Sequence, residues 1–107
     1  MSELVNKLSA RAQKIETNLR PENTPRALRH CVEQGYVNLK FCETRGGTYL
    51  YVPLDKTETD TSGADFEGQH GTVKLAGKLV LDYVAVRCVA QIDLATMQGE
   101  GQLQLLA

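Results

Sequence analysis

The sequence predicts an α+β domain in which two N-terminal helices pack on a five-stranded antiparallel meander sheet. Three observations predict this class. Apolar residues recur every three or four positions up to residue 34, they alternate with polar residues afterwards, and glycine or Asp turn signals separate the alternating segments. The 107 residues are 42% hydrophobic and 23% charged, a composition typical of a single globular domain over residues 1–107.

The first helix is predicted over residues 2–19. Ser2 is suited to the N-cap, and Pro21 is expected to end the helix. The apolar stripe of this helix comprises Leu4, Leu8, Ala12, Ile15 and Leu19.

A second helix is predicted over residues 24–34. Thr24 is a good N-cap, Pro25 fits the first helical position, and Gly35 stands where a left-handed C-terminal cap is expected.

Residues 36–54 alternate as a β-hairpin around Gly46-Gly47. A two-residue turn there pairs Phe41 with Val52, so that apolar side chains meet on one face. The same register places Glu43 on the inward face, opposite Leu50, near the exposed end of the hairpin.

Residues 55–71 form a polar stretch that we predict to be an acidic loop, with Phe66 as the one large apolar residue that could anchor it. Its five carboxylates face a single lysine, Lys56, and they are Asp55, Glu58, Asp60, Asp65 and Glu67.

Residues 72–106 are predicted to be a three-stranded meander. A turn at Asp82-Tyr83 pairs Leu79 with Val86 and sets Gly77 opposite Cys88, although Lys78 then faces Arg87. A further turn around residues 96–101 leads to a last strand whose Leu103 and Leu105 point inward.

The strand Val84–Ala90 is apolar on both faces apart from Arg87, a pattern typical of a strand covered on both sides. Two short helices cover one face, so the other is shielded by a partner subunit or by strong curvature of the sheet. The residues predicted to form an interface on that outer face are Tyr36, Tyr49, Tyr51, Val80, Ala85, Arg87 and Val89.

The formal net charge of −1 argues against binding to nucleic acid or membranes through bulk charge. Residues 1–54 nevertheless carry eight Lys and Arg against five Asp and Glu. Electrostatic binding to a polyanion through Lys7, Arg11, Lys14, Arg20, Arg26 and Arg29 is therefore a third, weaker hypothesis.

Three cysteines without a CxxC motif, and a start that lacks an apolar leader, predict reduced thiols and a cytoplasmic protein. The spacings of Cys31, Cys42 and Cys88 match no zinc pattern, and no cofactor fingerprint or catalytic motif is present. We therefore predict no metal, no cofactor and no catalytic residue.

The leading interpretation is a small non-catalytic interaction module that forms a homodimer through its sheet and binds a protein partner. The alternative is a small-ligand-binding protein or small enzyme with a pocket between curved sheet and helices. Its pocket residues would be Glu43 near the hairpin tip, His70 at the end of the long loop and Arg87, a charge on a mostly apolar strand.

Overall fold

The structure is a computed structural model that describes residues 2–106. Two helices and a seven-stranded antiparallel sheet confirm the α+β class, but the sheet has seven strands rather than five. The order in the sheet is β3-β2-β1-β7-β6-β5-β4. The elements are α1 (Glu3–Ser9), β1 (Gln13–Thr17), α2 (Pro25–Gln34), β2 (Tyr36–Phe41), β3 (Thr48–Pro53), β4 (Ala64–Asp65), β5 (His70–Leu81), β6 (Val84–Asp93) and β7 (Gln98–Leu105).

The predicted helix over residues 2–19 is wrong in its second half. The Ser2 side chain caps α1 by accepting the Val5 N–H at 3.3 Å, but the helix ends at Ser9. Strand β1 follows, and it lies between β2 and β7 in the interior of the sheet. Its side chains alternate between buried and exposed, and Ile15 fits a helical stripe and a strand face equally well. Long-range pairing therefore decides the conformation.

The second helix is confirmed. The Thr24 hydroxyl accepts the Ala27 N–H at 3.2 Å, and Gly35 at φ 91° closes the helix with its N–H bonded to the carbonyls of Cys31 and Val32. Because β1 lies between α1 and α2, the helices do not both precede the sheet. Neither helix among residues 2–106 is long and apolar enough to cross a membrane.

The hairpin β2–β3 keeps the predicted faces but not the predicted register. Phe41 pairs with Thr48 rather than with Val52, and Leu39 pairs with Leu50, so Glu43 lies in the connecting loop 42–47 and not on a strand. The Cys42 N–H donates to the Lys14 carbonyl of β1 at 3.0 Å. The shift is even, and an even shift leaves the buried set on the core face.

The hairpin β5–β6 has the predicted register throughout, with Leu79 opposite Val86 and Gly77 opposite Cys88. Asp82 and Tyr83 have φ of 50° and 66°, as a type I′ turn requires. Strand β7 begins at Gln98, earlier than predicted. Leu103 is buried there, but Leu105 is 46% exposed instead of pointing into the core.

The predicted loop over residues 55–71 is partly strand. Asp60 exchanges backbone hydrogen bonds with Lys74 at 2.8 and 2.9 Å, β4 pairs with His70 and Gly71, and Phe66 packs against the core. The stretch therefore extends the sheet beyond β5.

The sheet curls until β3 approaches β5. The Asp55 N–H donates to the Ala76 carbonyl at 2.7 Å, and a Cβ placed on Gly77 would lie 1.8 Å from the Pro53 carbonyl oxygen. This curl, with β1 inserted at the centre, replaces the predicted meander by a partly closed barrel around one core. The largest fully buried side chains include Phe41, Leu8, Ile15, Leu28, Leu39, Ile92, Leu94 and Leu103.

Candidate interaction surface

Two exposed tyrosines and a half-buried one form an aromatic surface on the outer face of β2 and β3, which we call the tyrosine surface (Tyr49, Tyr51 and Tyr36). Tyr49 and Tyr51 are each 58% exposed, because Leu50 between them and Val52 after them point into the core. The rings of Tyr36 and Tyr51 stack with centroids 5.4 Å apart and planes 19° apart. Tyrosine is enriched at protein interfaces because it combines a large apolar area with a polar tip.

The two strands that carry the tyrosine surface pack against the core on their other face. Val37, Leu39 and Phe41 of β2 are buried beneath it, and the Lys40 ammonium lies 5.7 Å from the centroid of the Tyr49 ring. A cation at this distance is attracted by the ring face. The backbone that carries the rings is therefore anchored in the core, and Lys40 contacts one of the rings.

A second exposed apolar group lies at the β5–β6 turn. Val80 is 68% exposed and pairs across the hairpin with the exposed Ala85, and Tyr83 in the turn is fully exposed. The predicted interface residues Val80 and Ala85 lie at this turn, on the hairpin where the sequence places them, and a shared interface with the tyrosine surface stays a prediction.

The remaining predicted interface residues, Arg87 and Val89, are half-buried on β6. Arg87 Nε lies 3.4 Å from Glu58 Oε2, at ion-pair distance but without hydrogen-bond geometry. Its side chain is thereby partly covered by the segment that follows β3. Val89 and Ala76 line a surface cavity of about 350 Å³ whose charged neighbours include Glu58, Lys74 and Glu100.

The segment that follows β3 also offsets the repulsion between Lys78 and Arg87, which are cross-strand neighbours on β5 and β6. It brings Asp55 and Glu58 to them. The Thr57 hydroxyl and N–H, 2.7 and 2.9 Å from Asp55 Oδ1, lower the pKa of Asp55, and the charges of Lys78 and Arg87 lower it further. Two carboxylates therefore offset a like-charge pair that would otherwise oppose the register.

The Glu43 carboxylate accepts hydrogen bonds from β1 and from the segment that precedes β1. The Arg11 guanidinium donates to Glu43 Oε1, and the Lys14 N–H donates to Glu43 Oε2 at 2.9 Å. The Arg11 hydrogen bond, then the Lys14 backbone bond, lower the pKa of Glu43. Glu43 is thus a charged residue that ties the β2–β3 loop to β1.

Replacing Arg11 by alanine is expected to raise the pKa of Glu43 toward its ordinary value of 4.5. A carboxyl with a lowered folded pKa stabilises the fold above its unfolded pKa, and that contribution is lost as the pH falls through the folded pKa. NMR titration of the Glu43 side chain measures the change. Arg45→Ala, in the same loop, is the control and should leave the titration unchanged; an equal response to both variants would contradict the contact.

His70, Glu43 and Arg87 do not meet at one site. His70 Nε2 lies 3.1 Å from Asp65 Oδ2 at the first residue of β5, and its side chain is largely exposed. The three residues contact three different carboxylates or cations, so their arrangement offers no support for a shared pocket. The pocket stays a prediction.

Among residues 2–106, no group of three or more His, Cys, Asp or Glu side chains is placed to hold a metal ion. The three cysteines are free thiols, and Cys31 and Cys88 are buried. Burial raises the pKa of Cys88 to about 12, which disfavours its nucleophilic thiolate form.

The cations of the electrostatic hypothesis are distributed over several elements. Lys7 lies on α1, Lys14 on β1, and Arg26 and Arg29 on α2. Arg11 is paired with Glu43, and Arg29 lies 3.3 Å from Glu33. Two of the six charges are thus already engaged.

No curated protein matches the sequence. A family model described as the core binding factor beta subunit matches residues 2–106. A subunit acts in association with another protein, so the match confirms the general prediction of a protein-binding chain, although it supports neither a homodimer nor a cytoplasmic location, which stay predictions. Because the match spans nearly the whole sequence, the chain belongs to the core binding factor beta subunit family.

Proposed function

We propose that this chain is a non-catalytic subunit that docks a protein partner through the tyrosine surface, in a complex of the transcription-cofactor kind. The family supports a protein-interaction subunit. The observation that carries the proposal is the exposure of Tyr49 and Tyr51 on a strand whose alternate residues are fixed in the core. Neighbouring exposed aromatic side chains form a contiguous patch, and such patches mark interaction sites more often than singly exposed residues do.

The geometry of the rings favours binding. Stacking between Tyr36 and Tyr51, and the contact of Lys40 with Tyr49, restrict the side chains before a partner arrives. Ordering of interface side chains normally costs free energy on association, and a surface that is already ordered avoids part of that cost. The stacked pair and Tyr49 therefore have the properties of interface anchors.

The test is affinity capture from the source cells with a tagged chain, followed by mass spectrometry and reconstitution with the recovered partner. The double variant Tyr49→Ala, Tyr51→Ala is expected to weaken binding by roughly 10- to 100-fold, the loss typical of interface anchors. Tyr83→Ala is the control, because Tyr83 is a fully exposed tyrosine that lies in the β5–β6 turn and not on β2 or β3.

Three outcomes would contradict the proposal. If the wild type retains no stoichiometric partner, the subunit function is wrong. If the double variant binds as well as the wild type, the surface is wrong, and if only Tyr83→Ala loses binding, the surface lies at the β5–β6 turn. Light scattering on the same samples measures self-association, the finer part of the original prediction.

A further inference from the structure

Strand β3 is an edge strand that lacks the usual protection. It stands at one end of the sheet order, and its sequence Thr-Tyr-Leu-Tyr-Val-Pro contains no charged residue. Proteins commonly place lysine or proline on such edges to prevent another chain from pairing with them. In β3 only Pro53, at the end of the strand, is a residue of this protective kind.

The register identifies which backbone groups of β3 are free. The Leu54 N–H donates to the Gly35 carbonyl at 2.8 Å, and hydrogen-bonded pairs alternate along an antiparallel ladder. Thr48, Leu50 and Val52 are therefore bonded to β2, and the N–H and C=O groups of Tyr49 and Tyr51 point away from it. The Asp55 N–H, in the same phase, indeed points outward to Ala76.

The facing edge of β5 is covered over only part of its length. Lys74 is bonded to Asp60, and the Ala76 carbonyl accepts from Asp55. The pair Leu81–Val84 closes the hairpin, so Lys78 and Val80 direct their backbone groups away from β6. Among residues 2–106, no backbone hydrogen bond joins Tyr49–Tyr51 to Lys78–Val80. We call these two unpaired edges the open seam.

We infer that the partner contributes an extended, uncharged segment that pairs with the β3 edge of the open seam as an added strand. This inference rests on the proposed function and specifies how the partner is recognised. Unpaired N–H and C=O groups at alternate residues are the groups that an added strand satisfies, whereas a helix has its own backbone groups bonded. Alternate side chains of the added strand would lie beside Tyr49 and Tyr51, where aromatic and β-branched residues pack best.

Amide hydrogen exchange measured by NMR tests the inference. In the free chain, the amides of Tyr49, Tyr51 and Val80 should exchange much faster than those of Leu50 and Val52, since only the latter are bonded within the sheet. The probes are the partner recovered by affinity capture and short overlapping peptides that cover its sequence. The intact partner and one of the peptides should slow exchange at Tyr49 and Tyr51 by at least about tenfold, with little change at Leu50 and Val52.

A lysine substitution on the β3 edge gives a second test of the inference. Tyr51→Lys places a charge on the edge and should abolish peptide binding, whereas Tyr83→Lys, at the exposed turn, should leave it unchanged. If the intact partner binds through the tyrosine surface without slowing exchange at Tyr49 and Tyr51, strand addition is wrong while the proposed function stands. If protection instead appears in the free chain as its concentration rises, the occupant is a second copy and the inference is overturned. If the wild type recovers no partner, the proposed function itself has failed.

Discussion

Replacing Gly77 by alanine is expected to destabilise the fold by about 2–4 kcal/mol. A Cβ at this position would lie 1.8 Å from the Pro53 carbonyl oxygen and 3.0 Å from a Val52 methyl group. The contact with Pro53 is to backbone, so β3 must move away from β5 to relieve it. Urea unfolding followed by circular dichroism measures the loss.

Gly63→Ala is the control for this variant. The nearest atom to a Cβ on Gly63 is the Thr72 carbonyl oxygen at 3.4 Å, and the change should stay within about 1 kcal/mol. Equal stability of Gly77→Ala and the wild type would mean that β3 and β5 do not approach closely, and the partly closed barrel would be wrong.

Replacing Phe41 by alanine is expected to cost about 3–5 kcal/mol of unfolding free energy, the range for deleting a buried phenylalanine. Phe41 is fully buried and pairs with Ile15 on β1. Removing its ring leaves a cavity where β1, β2 and β7 meet, since Gly101 on β7 also lies beside the ring. The same urea unfolding experiment gives the value.

Tyr49→Ala is the matched control, because it removes an aromatic ring from the exposed face of the same hairpin. Its effect should be below about 1 kcal/mol. A larger loss of unfolding free energy for Tyr49→Ala than for Phe41→Ala would mean that the buried and exposed faces of the hairpin are assigned the wrong way round, and the assignment of the tyrosine surface would be wrong with them.

Local signals were sufficient where a turn and an alternating pattern agreed. The Asp82-Tyr83 turn and the strands beside it gave the complete register of β5–β6, and Thr24, Pro25 and Gly35 marked both ends of α2. The helix prediction for residues 13–17 was wrong because the position of Ile15 fits both the helical and the strand periodicity. Their conformation depends on pairing with β7, which is remote in sequence.

The candidate site was predictable only in part. Alternation in β3 separates Tyr49 and Tyr51 from the core residues, so their outward direction follows from sequence. The cover that Glu58 provides for Arg87 could not be foreseen, because it requires the segment after β3 to run along the edge of β5. The open seam was equally hidden, since edge status depends on the order of all seven strands.

Site-specific photo-crosslinking tests the location of the partner most directly. A photoreactive phenylalanine analogue replaces Tyr49 in one sample and Tyr83 in another, and both are irradiated with the recovered partner. The account predicts a crosslinked product from position 49 and none from position 83. Crosslinking from position 83 alone would contradict it and would move the docking site from β3 to the β5–β6 turn.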